Sequence, residues 1–150
     1  MFDPDQFLDT PLDGANDTKG IPIPPGEYTG MIDSAKILQW QKRDDPSVHG
    51  LKLQVMWQLD DMELKELLGR DKITIRQDVM LDTTESGGID MGKGRNVGLG
   101  RLREAINKNQ PGVPMSQFVG CLAKVFTTNR QDPKDPEIVY SEVKAVARLG

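Results

Sequence analysis

The chain of 150 residues is poor in the side chains that do chemistry, with one cysteine, Cys121, and one histidine, His49. A single cysteine excludes an intramolecular disulfide and a cysteine-based zinc site, and a single histidine leaves little for acid–base work or metal ligation. Cys121 lies in the apolar run VGCLAKVF and reads as a small buried hydrophobe, not a nucleophile. Aromatics make up 5% of the chain, so stacking platforms are scarce. No segment approaches the roughly 18 apolar residues of a membrane span, and MFDPDQFLDT has no basic start, apolar run or cleavage pattern. The expectation is a soluble, intracellular protein with no membrane partner.

Carboxylates are plentiful but badly spaced for catalysis. Asp44-Asp45, Asp60-Asp61 and the group Asp82, Glu85 and Asp90 sit beside turn signals without the spacing of a calcium loop, and read as solvated turn acids. His49 has no nucleophile beside it in sequence and reads as a loop residue. The stretch Gly87 to Lys93 spells G-x-x-x-x-G-K, but Gly94 stands where a phosphate-cradling loop needs the Ser or Thr that holds magnesium. Such a loop also needs a parallel sheet with repeated crossover helices, and only one long helix is expected here. No catalytic residue, metal or cofactor is expected, so the protein is read as not an enzyme.

The net charge of −4 is unevenly spread. Asp3, Asp5, Asp9, Asp13 and Asp17 face only Lys19 in residues 1–19, which leaves the remainder neutral. Within that neutral body, Lys93, Arg95, Arg101, Arg103 and Lys108 face only Glu104 between residues 91 and 108. Segregation of this kind permits a polyanionic partner. The chain therefore divides into an acidic, flexible leader, residues 1–20, and one domain, residues 21–150. The leader reads either as a solvated tail or as a functional, DNA-mimicking or partner-docking one; Phe2, Phe7 and Leu8 favour partial docking.

The domain opens at the proline-rich IPIPPG. An extended segment is expected over residues 27–39, interrupted by a bulge near Ser34. Residues 48–59 alternate cleanly, with Leu51, Leu53, Val55, Trp57 and Leu59 on one face and Lys52, Gln54, Met56 and Gln58 on the other. A short helix follows over 61–68, capped by Asp60 or Asp61 and stopped by Gly69, and then a strand over 72–81. After a glycine-rich loop, a helix is expected over 96–109, capped by Asn96, with Leu99, Leu102 and Ile106 inward and Glu104 paired to Lys108. Gly98 and Gly100 suggest close backbone approach to the sheet or a ligand. Two strands, over 118–128 and 138–149, close the chain around the polar hairpin loop NRQDPKDPE.

Three strands, one helix and two strands, with a short extra helix between strands two and three, predict a mainly β, OB-fold-like five-stranded Greek-key barrel. OB-folds bind oligonucleotides or oligosaccharides over strands two and three and between two loops. The face residues there are Lys52, Gln54, Thr74 and Arg76. Trp40, Lys42 and Arg43 come from the first loop, Arg130 and Lys134 from the last, and Tyr140 follows it. Lys93 and Arg95 would extend a basic track beyond the barrel. Cations track phosphates and an aromatic such as Trp40 or Tyr140 stacks on a base. Trp57 shares a face with Leu53 and Val55 and reads as core, and Met56 as a cover for a second layer.

The blocks IPIPPGEYTGMID, LDTTESGGIDMGKGRNVGLGRLREAI and IVYSEVKAVARL, together with the opening MFDPDQFL, resemble a family of small proteins encoded in bacteriophage and prophage early regions, some members of which are described as single-stranded DNA-binding proteins. The resemblance covers nearly the whole chain, and the middle block is its most specific part. It implies single-stranded DNA binding in phage replication or recombination, in the host bacterial cytoplasm. Phage or host replication or recombination proteins are the further partners expected, and the sequence leaves a homo-oligomer open. It carries no catalytic motif. One departure stands out: well-known single-strand binders end in an acidic tail, whereas this chain ends KAVARLG and has its acids at the front. The alternative expectation is a non-enzymatic interaction module that docks a host or viral protein through the acidic leader and the glycine-rich loop.

Overall fold

A computed structural model describes residues 1–150. The chain is mainly β, with five antiparallel strands in one open sheet: β1 (Gly26–Gln41), β2 (His49–Asp60), β3 (Ile73–Leu81), β4 (Leu122–Gln131) and β5 (Val139–Ala147). Their order across the sheet is β3-β2-β1-β4-β5. The edges β3 and β5 come back within 8 Å of each other between Cα atoms, although no ladder joins them.

The long β1 makes this possible. Its first residues, Gly26 to Met31, pair with β4, while Thr29 to Gln41 pair with β2, the bulge apart. The register shifts between Ile32↔Trp57 and Ser34↔Met56, so Asp33 is an extra residue, as the expected bulge requires. An extra residue bends the strand and strengthens its twist. Asp33 turns out of the ladder and meets Lys72, with Oδ2 3.0 Å from Nζ.

One face of the sheet forms the core. Ile32, Leu53, Val55, Trp57, Leu59, Ile73, Ile75, Ala123 and Val125 are buried there, in the alternation expected for β2 and β3. Gly30 is buried at the centre of this face, between Leu59 of β2 and Ala123 of β4. A Cβ at Gly30 would lie 2.6 Å from Val125 Cγ2 and 3.0 Å from Trp57 Cε3. Trp57 is fully buried, and its Nε1 donates to Gln77 Oε1 at 2.8 Å. That bond explains a glutamine on the inward face of β3, since a buried indole N–H needs an acceptor.

Helix α1 (Pro4–Asp9) is unanticipated; Asp3 caps it by accepting from the backbone N–H groups of Asp5 and Gln6. Phe2, Phe7 and Leu8 do not dock on the domain. They are 70%, 71% and 82% exposed, and the two phenylalanine rings meet each other at 5.6 Å. Helix α2 (Met62–Leu68) is as expected, with Asp61 as its N-cap and Gly69 in the left-handed region at its end.

Helix α3 (Val97–Ala105) is shorter than the sequence suggests. Asn107, at φ 58°, turns left-handed and the N–H of Lys108 bonds Arg103 O at 2.7 Å, a Schellman closure that stops the helix before the proline does. Glu104 does not pair with Lys108; it holds Arg148 of the C-terminal segment at 2.9 Å. Leu99, Leu102 and Ile106 are buried as expected. Neither helix glycine is tight against the sheet: a Cβ at Gly98 would meet Val79 at an ordinary 3.6 Å, and one at Gly100 would meet nothing within 4 Å.

Residues 118–121 are not strand. Met115–Phe118 forms a 3-10 turn that buries Phe118, and β4 starts only at Leu122. Cys121, expected to be buried, is half-buried beside the core.

Candidate nucleic-acid interface

The outer face of the sheet is set by the register. Rows of cross-strand partners read Leu38–Lys52–Met80, Lys36–Gln54–Asp78 and Ser34–Met56–Arg76 across β1, β2 and β3, with Gln58–Thr74 beyond. Lys52, Gln54, Thr74 and Arg76 thus share one exposed or half-buried face, as the alternation required. The bulge at Asp33 adds Lys36 to that face, because the residues after a bulge swap sides.

Beside this face the β4–β5 hairpin forms the opposite wall of a groove of about 820 Å³. Gln54, Met56, Arg76 and Asp78 line one side, and Arg130, Tyr140, Ser141 and Glu142 the other. Four of the expected residues, Gln54, Arg76, Arg130 and Tyr140, therefore line one groove from the middle and the C-terminal part of the chain. Met56 lines the same groove and does not serve as cover for a second layer.

The groove's cations and its aromatic ring are held in place by carboxylates. Arg130 donates through Nε to Glu142 Oε1 and lies over the Tyr140 ring, its Cζ 5.0 Å from the centroid. Tyr140 donates through its hydroxyl to Asp132 Oδ2 at 2.9 Å. This hydrogen bond, and then the charge of Asp132, raises the Tyr140 pKa. The Asp132 carboxyl is lowered by the backbone N–H of Lys134 and then by the Tyr140 hydroxyl. The bond to Glu142, and then its charge, raises Arg130. On the opposite wall, Asp78 holds Lys52 at 3.0 Å and Arg76 at 3.7 Å.

Lys134 is exposed in the turn of the β4–β5 hairpin, where its backbone N–H donates to Asp132 Oδ1.

Other expected residues do not reach the groove. Trp40 belongs to β1, and its ring covers its cross-strand partner Gly50: a Cβ on that glycine would lie 3.0 Å from the indole nitrogen. Trp40 Nε1 is buried without a hydrogen-bond partner. With His49 and Thr83, the ring lines a separate hollow. Lys42 and Arg43 are exposed in the β1–β2 turn and make no ion pair.

Lys93 and Arg95 sit in the glycine-rich loop, exposed, with Arg95 Nε 3.6 Å from Asp90 Oδ2. Asn96 organises that loop. It is 9% exposed and left-handed, with φ 51°, and makes no side-chain cap to α3. Its side chain accepts from Asp82 N–H at 2.8 Å and donates to Asp82 O and Asp90 O, both at 2.9 Å, while its own N–H donates to the Asp82 carboxylate at 3.2 Å. The sequence marks Asn96 as a cap because asparagine before an apolar periodic run usually is one. The Gly92 N–H donates to Asp90 Oδ1 at 2.9 Å, so a carboxylate of the loop itself takes a donor that a phosphate-cradling loop keeps free, and the preceding strand lies in an antiparallel sheet.

No helix is long and apolar enough to cross a membrane. The chain matches no protein-family model and no curated protein.

Proposed function

We propose that this protein binds single-stranded DNA with little sequence preference, through an OB-type barrel, in phage-type replication or recombination. The observation that carries the reading is the groove between the β2–β3 face and the β4–β5 hairpin, which gathers Gln54, Met56, Arg76, Arg130 and Tyr140. The order β3-β2-β1-β4-β5, with the edges brought close, supports a partly open Greek-key barrel, and that surface is where such barrels bind oligonucleotides. Arg76 and Arg130 would take phosphates and the free face of Tyr140 a base; a stacked base is worth roughly 1–3 kcal/mol. Lys52 would join once released from Asp78, and Lys36 lies beside it. The resemblance to phage early-region proteins supplies the setting: the host bacterial cytoplasm, with replication or recombination proteins as further partners.

The test is fluorescence anisotropy of labelled oligo-dT against duplex DNA at several salt concentrations. Strand-selective binding is expected, weakening steeply as salt rises, with Arg76→Gln and Arg130→Gln each lowering the salt slope by about 0.7. Absence of binding at low salt, with residues 1–19 present and deleted, overturns the reading.

A second reading rests on the leader, whose exposed Phe2 and Phe7 pack only on each other amid aspartates. Under it, the leader and the glycine-rich loop dock a protein partner and the barrel is a scaffold. Deletion of residues 1–19 separates the two, since the first reading predicts retained or tighter DNA binding and the second predicts loss of the partner.

A further inference from the structure

The unpaired gap between β3 and β5 does not end at the groove. Further along it opens a crevice of about 910 Å³, which shares Gln77 and Asp78 with the groove and is bordered by α3. Groove and crevice together are lined by six cations and three carboxylates, in a chain whose net charge is −4. Positive charge is concentrated along this seam.

Two of those cations, Arg101 and Lys144, are exposed and make no ion pair. Lys144 owes its place to a second bulge. The β4–β5 register jumps from Phe126↔Ala145 to Thr127↔Val143, which leaves Lys144 as the extra residue. Bulges re-aim a side chain at a cost in ladder hydrogen bonds, and here the re-aimed residue is a cation lining the seam. Arg101 approaches from α3, and Gly100 beside it keeps the space open, since a Cβ there meets nothing. Met80, 54% exposed, and Val97, 48% exposed, add apolar surface against which bases can lie.

We propose that the β3–β5 crevice is a second, continuous segment of the nucleic-acid site, in which Arg101 and Lys144 take backbone phosphates of a strand that leaves the groove past Asp78. This rests on the single-strand reading and extends it along the seam toward the glycine-rich loop. The path differs from one that runs from the groove to the β1–β2 turn.

The experiment compares the full chain, the double variant Arg101→Gln/Lys144→Gln, the double variant Arg76→Gln/Arg130→Gln, and Gly100→Glu, with Arg70→Gln as a control on an exposed cation outside the seam. Binding of oligo-dT is measured against salt, and a thermal melt of each variant verifies folding. The Arg101/Lys144 variant should lose about 1.4 from the log–log salt slope, as expected for two single-strand phosphate contacts. Gly100→Glu, which puts a carboxylate into the crevice, should weaken binding several-fold, and Arg70→Gln should match the parent. Shortening the oligonucleotide until it fills only the groove should abolish the effect of Arg101 and Lys144. If the Arg76/Arg130 variant weakens binding while the crevice variants match the parent, the extension is overturned and the groove stands. If the parent does not bind either with residues 1–19 present or with them deleted, the underlying reading falls.

Discussion

Lys52 reaches diagonally across the β2–β3 ladder to Asp78, Nζ to Oδ2 at 3.0 Å, and Arg76 approaches the other oxygen of the same carboxylate at 3.7 Å. One aspartate therefore neutralises two of the cations that the outer face would offer to DNA. An asparagine in its place leaves both cations free. Asp78→Asn should tighten oligo-dT binding several-fold at low salt and steepen its salt dependence, while lowering stability by no more than about 1 kcal/mol, the scale of a partly exposed ion pair. Anisotropy and a urea titration read the two effects separately, and weaker DNA binding in a folded variant contradicts the phosphate role.

Gly30 lies where the core leaves no room for a methyl group. Gly30→Ala forces Val125 or Trp57 to move, because a Cβ would stand 2.6 Å from the Val125 side chain. A loss of about 1–3 kcal/mol in denaturant unfolding is expected, the range for overpacked cores. The same substitution at Gly100, in helical conformation with open space around it, should stabilise by up to about 1 kcal/mol.

Asn96 combines a left-handed backbone with a side chain bonded to Asp82 and Asp90. Asn96→Gly keeps the backbone conformation and removes the bonds; Asn96→Ala removes the bonds and adds backbone strain. Both should destabilise, and alanine should cost about 1 kcal/mol more than glycine. Amide hydrogen exchange should show faster opening of residues 82–96 in both variants, ahead of the sheet.

Tyr140 and Asp132 titrate at opposite ends of the pH scale. The hydrogen bond to Asp132 raises the tyrosine above its ordinary value, so its contribution is fully present at neutral pH and is lost as pH rises through the raised value. Asp132 is lowered below the ordinary carboxylate value, so its contribution is present above that ordinary value and is lost as pH falls through the lowered one. Absorbance titration of the phenolates should show Tyr140 falling back toward its ordinary value in Asp132→Asn. Burial, and then the charge of Asp61, raises the other tyrosine, Tyr28, so Tyr28→Phe serves as the background that assigns the signal.

Period-two alternation of large apolar residues was enough to place β2 and β3 and their inward faces, and the pair Asp60-Asp61 with Gly69 was enough to bound α2, though not to choose Asp61 as its cap, because these features depend on neighbours within a few residues. Local signals misled where a contact distant in sequence won. Asn96 bonds Asp82, fourteen residues earlier, in place of capping its helix, and Glu104 pairs with Arg148 in place of Lys108. Among the candidate site residues, the faces of Lys52, Gln54, Thr74 and Arg76 were legible because strand alternation sets them. The company they keep was not.

The sequence by itself therefore determined the strand-rich class, the faces of the central strands and the separation of acidic leader from neutral body, all consequences of residue type and short spacing. Only the tertiary structure decided that Arg76 meets Arg130 and Tyr140, that Trp40 lies on Gly50 apart from them, and that Lys144 joins Arg101 in one seam. Those juxtapositions depend on two bulges and on how far the sheet curls, and both follow from the packing of the whole core.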